Sequence, residues 1–92
     1  MKNDIYKKND TVYSAEINGR TVAMNMETGE FYNLDEVGSL IWRLLEKSST
    51  VNDVISGVSD ECEISFSECK DDVIFFIDSL CTNNLITKIS EV

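Results

Sequence analysis

Residues 30–45 read EFYNLDEVGSLIWRLL, and the fold turns on where their periodicity changes. Up to Leu34 the pattern is extended: Tyr32 and Leu34 share one face, Phe31 and Asn33 the other. From Asp35 onward the spacing is helical. Val37, Leu40, Ile41, Leu44 and Leu45 fall at i, i+3, i+4, i+7 and i+8, one stripe of a helix. Asp35 stands at the change of period, where its carboxylate accepts from orphan amides and favours the positive end of the helix.

Upstream, the alternation continues backwards in two more strands. TVYSAEI (11–17) places Val12, Ser14 and Glu16 on one face and Tyr13, Ala15 and Ile17 on the other. Asn18-Gly19 is a favoured two-residue hairpin turn, after which RTVAMNM (20–26) returns with Val22, Met24 and Met26 in register. Glu27-Thr28-Gly29 turns the chain into the strand EFYNL. The result is an antiparallel meander whose third strand lies on an edge. Downstream, Ser48-Ser49 ends the first helix and Thr50 opens a second. Asp53 follows Thr50 as a variant capping box, and Val51, Val54, Ile55 and Val58 form the buried stripe. Ser67 is placed to cap a third helix running to about Asn83, and Leu85-Ile86 closes the fold. The expected class is α+β and winged-helix-like: an N-terminal three-stranded antiparallel sheet followed by three α-helices. The chain reads as one domain over 1–92.

Composition narrows the function. A hydrophobic content of 42% is enough for one core and argues against disorder. The N-terminal MKNDIYKKND has no apolar stretch of the secretory kind, and no run approaches the ~20 apolar residues that span a bilayer. The expected location is cytoplasmic, with no membrane partner. Net charge is −9, and residues 60–92 hold eight acids against two lysines. A duplex binder neutralises phosphates with Lys and Arg, so nucleic acid is not an expected partner. Histidine is absent, which removes the usual general base from any Ser or Cys nucleophile. Cys62, Cys69 and Cys81 form no CxxC pair and read as free thiols. The chain is expected not to be an enzyme and to hold no metal and no cofactor.

Two places do not fit a plain core. The third helix buries Val73, Phe76, Ile77 and Leu80, with Cys69 and Cys81 at the margins of the stripe. Phe75 falls on the opposite side, near Asp71, Asp78 and Thr82. An aromatic among carboxylates is either a scattered surface residue or part of a binding face. The third strand is similar, since an edge guarded only by Glu30 invites another strand unless the third helix covers it.

An ordered set of residues then resembles the PqqD-like proteins, the recognition elements of pathways that modify ribosomally made peptides. It comprises Thr28-Gly29, Tyr32, Leu34 with its polar cap, Gly38, Ile41-Trp42 and Leu44-Leu45. It continues through Thr50-Val51, Asp72-Val73, Phe76-Ile77, Leu80 and, after Asn83-Asn84, Leu85-Ile86. The likeness covers about residues 10–88. Asp35 replaces the usual Asn and Asn84 a common Gly, and both substitutes suit a cap and a left-handed turn. The resemblance implies a non-catalytic adaptor that binds the leader segment of a precursor peptide by strand addition. By position, the peptide site would comprise Glu30, Phe31, Tyr32, Asn33 and Leu34 on the strand. On the helix it would comprise Cys69, Asp72, Val73, Phe76 and Ser79, with Asp71 and Phe75 on the rim. The implied partner is a processing enzyme on a separate chain, a lasso-peptide leader peptidase or alternatively a radical SAM enzyme. A winged-helix DNA-binding regulator is the competing class.

Overall fold

The computed structural model of the chain describes residues 4–47 and 50–90. In chain order the elements are β1 (Ile5–Lys8), β2 (Val12–Ile17), β3 (Arg20–Asn25), β4 (Phe31–Asn33), α1 (Glu36–Glu46), α2 (Val51–Cys62), α3 (Phe66–Thr82) and β5 (Ile86–Ser90). The expected meander is β2-β3-β4, antiparallel, in that spatial order. Asn18 and Gly19 both adopt positive φ, 54° and 81°, as a hairpin turn of the I′ kind requires. Asp35 caps α1, accepting from the Gly38 amide at 2.7 Å. Thr50 and Asp53 form a reciprocal capping box on α2, and Val51, Val54, Ile55 and Val58 are buried as the spacing requires. Asn84 takes the left-handed conformation, φ 61°. The expected end of α1 at Ser48-Ser49 lies outside the described residues.

Several expectations are corrected. Two strands were not legible: β1 and β5 pair antiparallel as a separate two-stranded sheet that joins the chain's beginning to its end. Both are short and lysine-bearing, and their partners lie about eighty residues apart, so no local pattern marks them. Ser65 caps α3 rather than Ser67. Ser65 accepts from the Glu68 amide while the Glu68 carboxylate accepts from the Ser65 amide. Three residues after Ser67 stands Lys70, which has no acceptor to complete such a box. The inner face of β3 is Thr21, Ala23 and Asn25, all buried, so Val22 and Met24 point outward. The buried face of α1 is also rotated from the expected stripe. Gly38, Ser39, Ile41, Trp42 and Leu45 are inside, while Val37 is 46% exposed.

The inner face of the meander rests on α1. Val12 is in the core, the Trp42 indole N–H donates to Ser14 Oγ at 3.3 Å, and Arg43 meets Glu16 at 3.2 Å. That ion pair is solvent-exposed and contributes little. The outer face carries a row of directly opposed side chains, Tyr13, Met24 and Phe31. Tyr13 and Phe31 are largely exposed. No helix of the described residues is long and apolar enough to cross a membrane.

One hydroxyl ties the sheet to the helix. Leu34 N–H donates to Thr21 C=O at 2.9 Å, but the reciprocal bond of the pair is not direct. Instead Thr21 N–H donates to Ser39 Oγ at 2.7 Å, and Ser39 O–H donates to Leu34 C=O at 3.3 Å. Ser39 is thus inserted into the ladder where β3 and β4 part, and it is completely buried. The expected consequence of Ser39→Ala is a loss of about 1–3 kcal/mol, because a buried amide and carbonyl lose their partner together. Urea denaturation followed by circular dichroism measures it, and an unchanged midpoint would show that the ring carries no stability.

Candidate functional site

The site begins with backbone parity along β4. Glu30 C=O accepts from Asn25 N–H at 3.0 Å, Tyr32 pairs with Ala23, and Leu34 donates to Thr21. Residues 30, 32 and 34 therefore direct their backbone groups to β3. Phe31 and Asn33 turn theirs the other way. β4 is the last strand of its sheet, and α3 packs chiefly on α2 and β5 rather than on β4. The helix does not seal this edge.

The side chains of β4 divide by face. Tyr32 is half-buried against the core, and its hydroxyl donates to the Glu30 carboxylate at 3.1 Å. Burial, then this carboxylate, pushes the Tyr32 phenol up from its ordinary range. Leu34 is buried, whereas Phe31 and Asn33 are exposed.

Beyond the end of β4 lies a cavity of about 320 Å³ between the three helices. Of the helix positions expected to form the site, Cys69, Asp72, Val73 and Phe76 line it. Val73 and Cys69 form its buried floor, and burial pushes the Cys69 thiol up, which keeps it protonated at neutral pH. Asp72 is on the rim. The remaining expected positions are elsewhere. Ser79 donates to Phe76 C=O at 2.9 Å, within the helix. Asp71 is exposed and Phe75 is 75% exposed, and neither lines the cavity. No residue of β4 lines it.

Seven of the eleven residues that line the cavity are ones that sequence reasoning did not select. Asp35, Val37, Gly38 and Ile41 enter from the start of α1, and Val58, Cys62 and Ile64 from the end of α2 and the bend after it. A usable signal was the apolar Cys62 and Ile64 inside the acidic run DECEIS (60–65). Both stay largely exposed in the structure, so they line the mouth of the cavity rather than its floor.

Gly38 sets the shape of the cavity wall. A Cβ there would lie 2.8 Å from Phe76 Cζ and 3.3 Å from Cε1, so the missing side chain is what lets the tip of the ring reach α1. For Gly38→Ala, overpacking of about 1–3 kcal/mol opposes the roughly 1 kcal/mol that alanine adds in a helix. Net destabilisation is expected in the wild-type background. With Phe76→Leu already present, the same change should become neutral or stabilising. A double-mutant cycle by urea denaturation tests this, and additive effects would mean that the two residues do not communicate.

Comparison with known proteins adds a family and a fold. The model of the family described as coenzyme PQQ synthesis protein D (PqqD) matches residues 20–86. Among solved structures, one described as TbiB1 in complex with the TbiA(beta) leader peptide is 28% identical with a TM-score of 0.84. The match covers 92% of this chain and 99% of that one. A second, lasso peptide synthetase B1 complexed with the leader peptide, is 20% identical with a TM-score of 0.81. That match covers 89% of this chain and 96% of the other, and it bears on the fold alone. No curated protein matches the sequence significantly.

Proposed function

This chain belongs to the PqqD family, and from that premise we propose that it is a non-catalytic cytoplasmic adaptor for the leader segment of a ribosomal precursor peptide. The leader adds to β4 as an antiparallel strand and lies against α3, and the adaptor presents it to a processing enzyme on another chain. A lasso-peptide leader peptidase is the favoured enzyme, and the likeness to TbiB1, a structure solved with a leader peptide, supports the leader-binding part of the reading. The observation that carries the reading is the uncovered edge of β4, with an apolar cavity at its end.

In this reading each residue has a role. Phe31 and Asn33 each offer one N–H and one C=O to the guest, which gives affinity that depends little on its side chains. Glu30, Tyr32 and Leu34 hold the edge in place through β3 and the core. Cys69, Asp72, Val73 and Phe76 supply the pocket that reads the guest's sequence. Asp71, Phe75 and Ser79 stand on the outer parts of the same helix wall.

Proline substitution isolates the backbone contribution. In Asn33→Pro the lost N–H points away from β3, a position that an edge strand tolerates. The fold should persist, while a guest strand loses a hydrogen bond and meets the proline ring. Affinity for a fluorescein-labelled synthetic leader, taken from the precursor encoded beside this chain, is expected to fall about tenfold or more. Fluorescence anisotropy measures this. Wild-type protein that binds no such leader would sink the proposed function, and unchanged affinity in Asn33→Pro would sink strand addition.

A further inference from the structure

An adaptor that presents one molecule to another needs a second surface, and the far flank of α1 and α2 carries one. This inference rests on the adaptor reading and deepens it. A groove of about 380 Å³ lies between these two helices, and none of its lining residues belongs to the three-helix cavity. Its floor is apolar: Leu40 and Leu44 pack against the core but stay partly open. Gly57, which has no side chain, lets α2 come close to Leu44.

The two walls are oppositely charged. Arg43 and Lys47, from α1 and its C-cap, face Asp60 and Glu61 of α2, and all four are exposed. The walls do not pair with each other. Arg43 turns away to Glu16 at 3.2 Å, and among the described residues the side chains of Lys47, Asp60 and Glu61 meet no opposite charge. Asp60 and Glu61 also stand in the last turn of α2, which holds no basic residue. The negative end of a helix disfavours acids, so neither residue serves the stability of its own helix. Unpaired charges of opposite sign on either side of an apolar floor complement a guest that carries the reverse pair.

A groove between two helices accepts the side-chain ridge of a third. We propose that the α1–α2 groove docks an amphipathic helix of the processing enzyme. Its apolar ridge seats on Leu40 and Leu44, an acid on one flank pairs with Lys47, and a lysine or arginine on the other pairs with Asp60 and Glu61. The enzyme and the leader then occupy opposite flanks of the same helix pair, and the adaptor holds both at once.

The test uses the full chain, the labelled synthetic leader and the purified processing enzyme encoded beside the same precursor. Asp60→Lys/Glu61→Lys should weaken enzyme binding about tenfold or more by biolayer interferometry, and Lys47→Glu severalfold. Both variants should bind the leader within about twofold of wild type by anisotropy. The adaptor concentration for half-maximal processing should rise in step, while the rate at saturating adaptor is kept. Asp60→Lys/Glu61→Lys should also raise the urea midpoint, since acids leave the negative end of α2. Asp10→Lys/Glu27→Lys makes the same change of net charge at exposed turns and should leave enzyme binding unchanged. Asn33→Pro should show the converse pattern, a weakened leader with enzyme binding intact. Unaffected enzyme binding in both groove variants overturns the docking site. An equal loss in Asp10→Lys/Glu27→Lys overturns it too, because the effect would then belong to overall charge. Wild type that binds the leader but not the enzyme takes down docking and presentation, and leader recognition stands. Wild type that binds no leader takes down the proposed function, and the enzyme titration alone then decides the groove.

Discussion

The ring of hydrogen bonds through Ser39 is the constraint on which the candidate site depends. By standing between Thr21 and Leu34, its hydroxyl ends the β3–β4 ladder and starts the path into α1. The ring is buried, so each of its groups is costly to leave unmade, and the arrangement resists slippage by one residue. Parity along β4 follows, and parity decides which amides face outward. An edge can serve as a template only when its register is fixed, and here a serine on the neighbouring helix fixes it.

Around that joint, close packing is achieved by omission. Gly38 lets the tip of the Phe76 ring reach α1, and Gly57 does the same for Leu44 between α1 and α2, where a Cβ would lie 2.8 Å from Leu44 Cδ1. Ala23, wholly buried, keeps the sheet close to the helix that carries Trp42. The cavity lies beside the close approach at Gly38, lined by Val37, Ile64 and Phe76 among others, and Asp35 and Asp72 stand on its lining.

Much of this was legible in the chain because the signals are local. The alternation on either side of Asn18-Gly19, the change of period at Asp35 and the box of Thr50 with Asp53 each lie within a few residues, and each was found where expected. The pairing of β1 with β5 was not legible, since it joins segments that make sense only once the helices have brought them together. Ser65 and Ser67 differ as caps only through Glu68, a distinction that composition blurs. The inward face of β3 defied hydrophobicity, because Thr21, Ala23 and Asn25 are chosen for size and hydrogen bonding against α1. At the site, periodicity and family likeness pointed to β4 and α3. The contribution of α1 and α2 required three helices in place, and residues such as Cys62 acquire meaning only from that arrangement.

The outward row of Tyr13, Met24 and Phe31 has a colloidal consequence. An apolar sheet face left open is adhesive toward any similar face, including that of another copy of the same chain. The net charge of −9 acts against such encounters. The two effects have different ranges. Repulsion reaches about 10 Å in 0.1 M salt and only about 3 Å in 1 M salt, whereas apolar attraction works at contact and does not weaken. Dispersed copies are therefore a property of charge and medium together. As pH falls toward the sequence pI of about 4.2, net charge approaches zero and the repulsion that keeps these faces apart fades.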